Sequence, residues 1–156
     1  MTRLYEGMFL LDNQVVREDW TKAKSLVTDT LKKHGANVLS ARRWDERKLA
    51  YPIATRRRAT FLLAYYEVGI EHIGEMRRDF DLSEKVLRYL ILSREAVPAG
   101  ELELAALEQA TDFSVPAPPP DDAPEPEKPV FGRRRDEGDE AEIFVPDLEN
   151  LSLEDD

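Results

Sequence analysis

The order of hydrophobic periodicities along the first 95 residues limits the possible folds of this chain most strongly. Four segments have the alternation or dense apolar content of strands, and two have the three- and four-residue spacing of helices. In chain order we predict a strand at 3–12, a helix at 16–34, strands at 36–53 and 60–68, a helix at 71–80 and a strand at 85–93. This order predicts an α+β domain in which both helices lie on one face of a four-stranded antiparallel sheet.

The second predicted strand should lie at a sheet edge and contain a bulge. Pro52 has no N–H to donate to a neighbouring strand, which places it at an edge. Val38 and Leu49 both look like core residues but are an odd number of positions apart, so a bulge near Trp44–Glu46 is needed to turn them to one face. Residues 54–59 would form the hairpin loop. The first and third strands are apolar in both registers and should be central.

Charge is distributed very unevenly along the chain, whose net charge is −10. Residues 1–95 carry 18 Lys/Arg and 14 Asp/Glu, whereas residues 96–156 carry 4 and 18. The second part includes a possible short helix at 100–110 and seven prolines within 116–129. We therefore predict a folded domain at 1–95 and an acidic, proline-rich, largely disordered extension at 96–156.

Catalysis and membrane insertion are both disfavoured by the sequence. There is no cysteine, and the two histidines, His34 and His72, are isolated from other metal-ligand types. No segment approaches the roughly 18 apolar residues that cross a bilayer. We expect a soluble cytoplasmic protein that is not an enzyme, with no cofactor, no metal site and no small-molecule substrate.

A basic stretch within residues 42–58 is the strongest indication of function. It holds seven basic and two acidic residues, with Trp44 and Tyr51 among them. Guanidinium groups pair with phosphates and flat rings stack on bases, so a basic hairpin anchored on a packed domain is suited to RNA. The alternative is a solvated edge strand, whose charges prevent aggregation.

The residues Arg47–Ala54, RKLAYPIA, resemble a segment of the bacterial small-subunit ribosomal protein six family. Tyr5-Glu6 in the first strand and Gly35-Ala36 after the first helix fit the same family, and the resemblance covers residues 3–95. It implies a ferredoxin-like βαββαβ fold. It also implies a structural component of the small ribosomal subunit that binds ribosomal RNA together with ribosomal protein eighteen, without catalysis or cofactor.

The family resemblance favours RNA contact by the basic stretch over the alternative of a solvated edge strand. The candidate RNA-binding residues are Arg3, Arg47, Lys48, Tyr51, Arg56, Arg57, Arg58 and Arg88. Phosphate contacts of this kind give affinity and register but do not read sequence. For Tyr51 a second role stays open, as a partly buried core tyrosine with a hydrogen-bonded hydroxyl.

The sheet face away from the helices should carry an apolar patch for a partner protein. The candidate partner contacts are Trp44, Phe61, Leu63, Tyr65 and Leu90. Two alternatives stay open: the chain's own tail folds over the patch, or Trp44 merely packs on the edge strand.

Two further hypotheses concern function and the tail. The chain is alternatively a protein–protein interaction module on the same fold, with RNA incidental. The acidic extension is expected to compete with phosphate for the basic hairpin before assembly. Its last segment, 142–156, alternates acids with bulky apolar residues and is a candidate docking peptide.

Overall fold

A computed structural model of the chain describes residues 1–110 and 113–124. The elements in this part are β1 (Thr2–Asp12), α1 (Asn13–Glu18), α2 (Trp20–Lys33), β2 (Asn37–Ile53), β3 (Arg56–Gly69), a 3-10 turn (Ile70–His72), α3 (Ile73–Leu82), β4 (Val86–Arg94) and α4 (Glu101–Leu107). Every predicted strand is present at its predicted place along the chain.

The four strands form one antiparallel sheet in the order β2-β3-β1-β4. Phe9 of β1 lies opposite Leu62 of β3 on one side and Tyr89 of β4 on the other. The central positions of β1 and β3 explain why both strands are apolar in both registers. The predicted antiparallel sheet is confirmed, and β2 lies at an edge, as Pro52 required.

Helices α1, α2 and α3 cover one face of the sheet, and the hydrophobic core lies between these two layers. Phe9, Leu62 and Tyr66 are fully buried on that face. Met76 and Phe80 of α3 are buried against it, with the Phe9 and Phe80 ring centroids 4.8 Å apart. The buried residues of α2 repeat at helical spacing: Ala23, Val27 and Leu31.

The predicted helix at 16–34 is in fact two helices separated at Asp19. This residue has extended backbone angles (φ −166°, ψ 116°), which end α1. Its carboxylate accepts hydrogen bonds from the backbone N–H groups of Thr21 at 2.9 Å and Lys22 at 3.4 Å, so it also caps the start of α2. A short acidic side chain that satisfies these unpaired donors makes the break stable.

A bulge is present in β2 at the predicted place, but it does not bring Val38 and Leu49 to one face: Val38 packs against the hydrophobic core, whereas Leu49 lies on the opposite face, beside Leu10 and Leu90. Pairing with β3 passes from Arg43–Leu62 to Asp45–Phe61, which leaves Trp44 without an opposite residue. A second register shift, between Val38 and Ser40, reverses the facing once more, so Val38 and Leu49 stay on opposite faces as strict alternation would place them.

The compact unit runs from Met1 to Pro124, beyond the boundary that the sequence suggested at residue 95. It includes α4 and residues 113–124, which have no regular secondary structure apart from a turn near Asp121. The candidate docking peptide at 142–156 lies outside the described residues. In the part of the chain that the structure describes, no helix has the length and apolar character needed to span a membrane.

Candidate nucleic-acid interface

The C-terminal end of β2 and the start of β3 form a hairpin arm, residues 46–58, that extends past the last residue of β3 paired with β1, Ala59. The turn of the arm has two residues, Ala54 (φ 48°) and Thr55 (φ 66°). Two successive left-handed residues match the twist of the flanking strands. The predicted six-residue loop is therefore wrong in its length, since Arg56 already belongs to β3.

A large bulge of four residues lies near the tip of the arm. Lys48 lies opposite Arg58 and Ile53 lies opposite Arg56, so four residues of β2, 49–52, face a single residue of β3. Residues that have no pairing partner on the neighbouring strand bend out of the plane of the sheet. The Leu-Ala-Tyr-Pro part of the family motif forms this bulge.

The bulge lies against the open sheet face, which is the face without α1, α2 and α3. Leu49 and Ile53 line an open cleft of about 310 Å³ together with Leu90 of β4. The Tyr51 ring is 58% exposed, and the guanidinium carbon of Arg88 lies 5.9 Å from its centroid. Tyr51 is thus a surface residue with a cation at its face, and the role of a partly buried core tyrosine is excluded.

Three cations of the arm, Arg47, Lys48 and Arg57, are exposed. The Arg47 guanidinium carbon lies 4.4 Å from the Trp44 ring centroid, and its Nε donates to Asp45 at 2.8 Å. Burial by itself raises the pKa of Asp45, but hydrogen bonding and the charge of Arg47 hold that pKa below its ordinary value. The ionised Asp45 orients Arg47 without burying it, since 56% of the Arg47 side chain stays exposed.

The prediction that the Arg58 side chain contacts phosphate is wrong. Arg58 is 4% exposed, and its Nε and Nη2 donate to the two oxygens of Glu46 at 2.7 and 2.9 Å. Asn13 Nδ2 also donates to Glu46, at 3.1 Å, and Asn13 Oδ1 accepts from the Thr60 hydroxyl at 2.7 Å. This buried network anchors the arm to α1 and to the sheet.

Arg56 and Arg3 occupy different positions relative to the arm. Arg56 Nε lies 3.3 Å from a carboxylate oxygen of Asp12, and its Nη2 donates to Gln14 at 2.9 Å. Its side chain remains 39% exposed. Arg3 lies near the opposite end of β1, which at the rise of an extended strand is about 30 Å away. Arg3 therefore belongs to a separate surface.

Three of the five predicted partner contacts are accessible on the open face. Trp44 is 38% exposed and Leu90 is 57% exposed. Phe61 is half-buried, with its ring 5.8 Å from that of Trp44 in an edge-on arrangement. Trp44 thus packs on its neighbour and keeps exposed surface at the same time.

The other two predicted partner contacts, Leu63 and Tyr65, are buried within the chain itself, so this part of the prediction is wrong. The start of α4 reaches this end of the open face, where Glu101 pairs with the guanidinium of Arg42 in two hydrogen bonds. The Tyr65 hydroxyl donates to Glu6 at 2.7 Å. Burial and this hydrogen bond raise the pKa of Tyr65 to about 12. The alternative in which the tail covers the patch thus holds for this end of the face.

Glu108 is a structural residue that the sequence did not reveal. It follows α4 and accepts hydrogen bonds from the Trp20 indole N–H at 2.5 Å and from the backbone N–H of Arg43 at 2.8 Å. It also lies 3.6 Å from Lys24. Together with the Glu101 pairing, these contacts carry α4 across the edge of β2 and attach it to α2. In the sequence Glu108 looks like any solvated acid, because its partners are more than 60 residues away.

The described residues contain no group of His, Cys, Asp or Glu side chains that is placed to hold a metal ion. The surface around the arm consists of exposed cations, the rings of Trp44 and Tyr51, and an apolar cleft. Such a surface is suited to binding a polyanion and a protein partner.

The family model described as Ribosomal protein S6 matches residues 4–93, which include β3, the whole arm and all of β1 except its first two residues. The chain belongs to the ribosomal protein S6 family. Members of this family are structural, non-enzymatic components of the small ribosomal subunit, so the prediction that the chain is not an enzyme is confirmed by membership. The predicted location on the cytoplasmic ribosome follows from the same membership.

Curated relatives support this assignment. The chain is 33% identical to a protein of Chlamydia abortus over 106 residues, which cover 68% of this chain and 94% of the relative. It is 32% identical to a protein of Campylobacter lari over 107 residues, covering 69% and 83%. It is 28% identical to a protein of Fusobacterium nucleatum over 93 residues, covering 60% and 99%. All three are described as small ribosomal subunit protein bS6.

A solved structure has the same fold. The crystal structure of ribosomal protein S6 from Thermotoga maritima superposes with a TM-score of 0.54 at 18% sequence identity, covering 70% of this chain and 96% of that one. At this identity the comparison establishes the fold alone. The ferredoxin-like arrangement that the motif implied is thereby confirmed.

Proposed function

We propose that the chain binds small-subunit ribosomal RNA through the exposed cations of the arm, and holds ribosomal protein eighteen on the open sheet face. The observation that carries the RNA part is the set of exposed cations on the arm. Arg47, Lys48 and Arg57 are exposed on it, while the base of the arm is fixed by the buried Arg58–Glu46 pair. A rigid base keeps the cations in place, which lowers the entropy lost when they bind phosphates.

Tyr51 and Arg88 extend this cationic surface to the open face. The exposed Tyr51 ring offers a flat surface for a base, and Arg88 beside it offers a charge for a phosphate. Arg56, although paired with Asp12, keeps part of its side chain accessible. We assign Arg3 at most an independent contact, because of its distance from the arm.

The RNA part is tested by charge reversal on the arm. Arg57→Glu and Lys48→Glu should each weaken binding to a transcript of the small-subunit ribosomal RNA. Each should also reduce the slope of log affinity against log salt by about one, because one phosphate contact is lost. Arg78→Glu, the same change at an exposed position of α3, is the matched control. Equal affinities and slopes in all three variants would remove the arm from the RNA interface.

The protein part is supported by exposed apolar side chains next to the arm. Leu90 is 57% exposed and Leu92 38% exposed on the open face of β4, and Leu90 lines the same cleft as Tyr51. Exposed apolar residues that cluster on one surface indicate an interface. The part of this face near Tyr65 is already covered, so the proposed contact is confined to the β4 side and the arm.

The partner surface is tested with a matched pair of leucines. Leu90→Asp should weaken binding of purified ribosomal protein eighteen at least about tenfold, since it places a charge in an apolar contact. Leu82→Asp, the same change at a residue that is 73% exposed on α3, should leave that affinity unchanged. If the two variants bind equally well, the open face is not the contact surface.

Sedimentation of cell lysate separates the proposal from the interaction-module alternative. Under the proposal, the protein travels with small subunits, and this association weakens in both Arg57→Glu and Leu90→Asp. If Leu90→Asp alone releases the protein, RNA contact by the arm is incidental and the alternative is correct.

A further inference from the structure

Residues 113–124, which we call the strap, lie along α1 toward the arm. Arg17 of α1 donates from Nε to the carbonyl oxygen of Pro118 at 3.2 Å and from Nη2 to that of Pro119 at 2.6 Å. Pro118 is buried, and Val115 packs against the hydrophobic core. The strap is thus fixed by specific contacts before it reaches the arm.

At the arm the strap places one carboxylate on two neighbouring backbone donors. Both Asp121 oxygens accept from the Arg57 N–H at 2.9 Å, and one also accepts from the Arg58 N–H at 3.0 Å. The carbonyl of Ala123 accepts from Arg58 Nη1 at 3.2 Å. The pairing of β3 with β1 ends at Ala59, so β1 does not cover this part of β3.

Two backbone N–H groups that converge on one anion, beside arginine side chains, also have the donor set that binds phosphate oxygens. A carboxylate and a phosphodiester each present negatively charged oxygens to such donors. The Asp121 carboxylate is therefore placed where a backbone phosphate of RNA has suitable donors, on the same arm that exposes Arg47, Lys48 and Arg57.

We propose that the Arg57 and Arg58 backbone amides form a phosphate-binding site, and that in the free protein the strap occupies it through Asp121. RNA and the strap then exclude each other at this site, so the free protein binds RNA more weakly than it would if Asp121 did not occupy the site. This inference rests on the proposed function, since it assumes that the arm binds RNA. It goes further by naming the two backbone amides as the phosphate-binding site and Asp121 as the group that competes for it.

The test compares two neighbouring acids in the full-length chain. Asp121→Ala removes the competing carboxylate, whereas Asp122→Ala removes the same charge from an exposed neighbour. Charge-assisted hydrogen bonds of this kind correspond to about a tenfold change in affinity. Asp121→Ala should therefore bind the small-subunit ribosomal RNA transcript about five to ten times more tightly at low salt, and Asp122→Ala less than about twofold. Equal affinities in the two variants would overturn the proposal.

Failure of the proposed function gives a different result. If Arg57→Glu leaves RNA affinity unchanged, the arm does not bind RNA and the proposed function is wrong. If Arg57→Glu weakens binding but the Asp121 and Asp122 variants behave alike, RNA binds the arm without competition from the strap, and this inference alone is wrong.

A second measurement follows the donors themselves. In ¹⁵N–¹H spectra titrated with inorganic phosphate, the amide resonances of Arg57 and Arg58 should shift and saturate in Asp121→Ala. At the same phosphate concentrations they should stay unchanged in the wild type. Amides in Asp121→Ala that respond to neither phosphate nor RNA would show that Asp121 is a structural tie and that no phosphate site exists there.

Discussion

Breaking the buried pair between Arg58 and Glu46 should destabilise the protein far more than removing the neighbouring exposed arginine. The side chains of Arg58 and Glu46 are 5% and 7% exposed. We consider Arg58→Met, which keeps much of the apolar stem, Glu46→Leu, and the double variant. Arg57→Met is the exposed control.

The expected loss of stability depends on whether a buried charge remains without its partner. Each single change strands one buried charge, and such a loss costs about 3–5 kcal/mol. A domain of this size has a total stability of about 5–15 kcal/mol, so either variant loses a large share. The double variant removes both charges and replaces them with apolar groups, which is often close to neutral. Arg57→Met should cost less than about 0.5 kcal/mol, since it lies on the surface.

Urea unfolding followed by circular dichroism measures these effects. With an m-value of about 1.5 kcal/mol per molar, a loss of 3 kcal/mol lowers the midpoint by about 2 M. The double-mutant cycle should give a coupling free energy of at least about 2 kcal/mol. Single variants that cost under about 1 kcal/mol, or a double variant that equals the sum of the singles, would refute the reasoning that this pair anchors the arm.

Three further predictions concern the turn, the open face and a helix cap. Changing Ala54→Asn and Thr55→Gly together should raise the free energy of unfolding by about 1 kcal/mol, because both positions have positive φ; no gain in urea unfolding would contradict the assigned turn. In an absorbance titration, the tyrosine signal that is present in the wild type and missing in Tyr65→Phe should titrate with a pKa of about 12. Glu6→Gln should lower this pKa, because the hydrogen bond and the charge of Glu6 help to raise it. Since the folded pKa lies above the ordinary tyrosine value of about 10, the contribution of Tyr65 to stability is complete below pH 10 and is lost as the pH rises to about 12. Asp19→Ala should cost about 1 kcal/mol in urea unfolding, whereas Asp19→Asn should restore most of it.

The sequence was informative wherever the structure depends on neighbours along the chain. Alternation and helical spacing gave the order of the elements and the two central strands. Pro52 predicted the edge strand correctly. The bulge at Trp44 is present, but the reason for predicting it was wrong, because Val38 and Leu49 lie on opposite faces of the sheet. The break at Asp19 was missed, although Asp is a residue that caps helices, because the apolar spacing continues across it.

Which charged and apolar side chains remain accessible was decided by contacts between residues far apart in the chain. Arg57 and Arg58 are adjacent and chemically identical, yet Arg58 is buried against Glu46 while Arg57 is exposed. Leu63 and Tyr65 match the pattern of an open face, but the chain buries them near the place where Glu101 pairs with Arg42.

The sequence by itself therefore determined the architecture, the edge strand and the basic character of the arm, because periodicity and backbone chemistry act over a few residues. Tertiary structure alone decided which of the arm's cations stay at the surface and which acids of the tail approach them. A carboxylate such as Glu46, Glu101 or Asp121 acquires its partner only when the fold brings together groups that no local pattern connects.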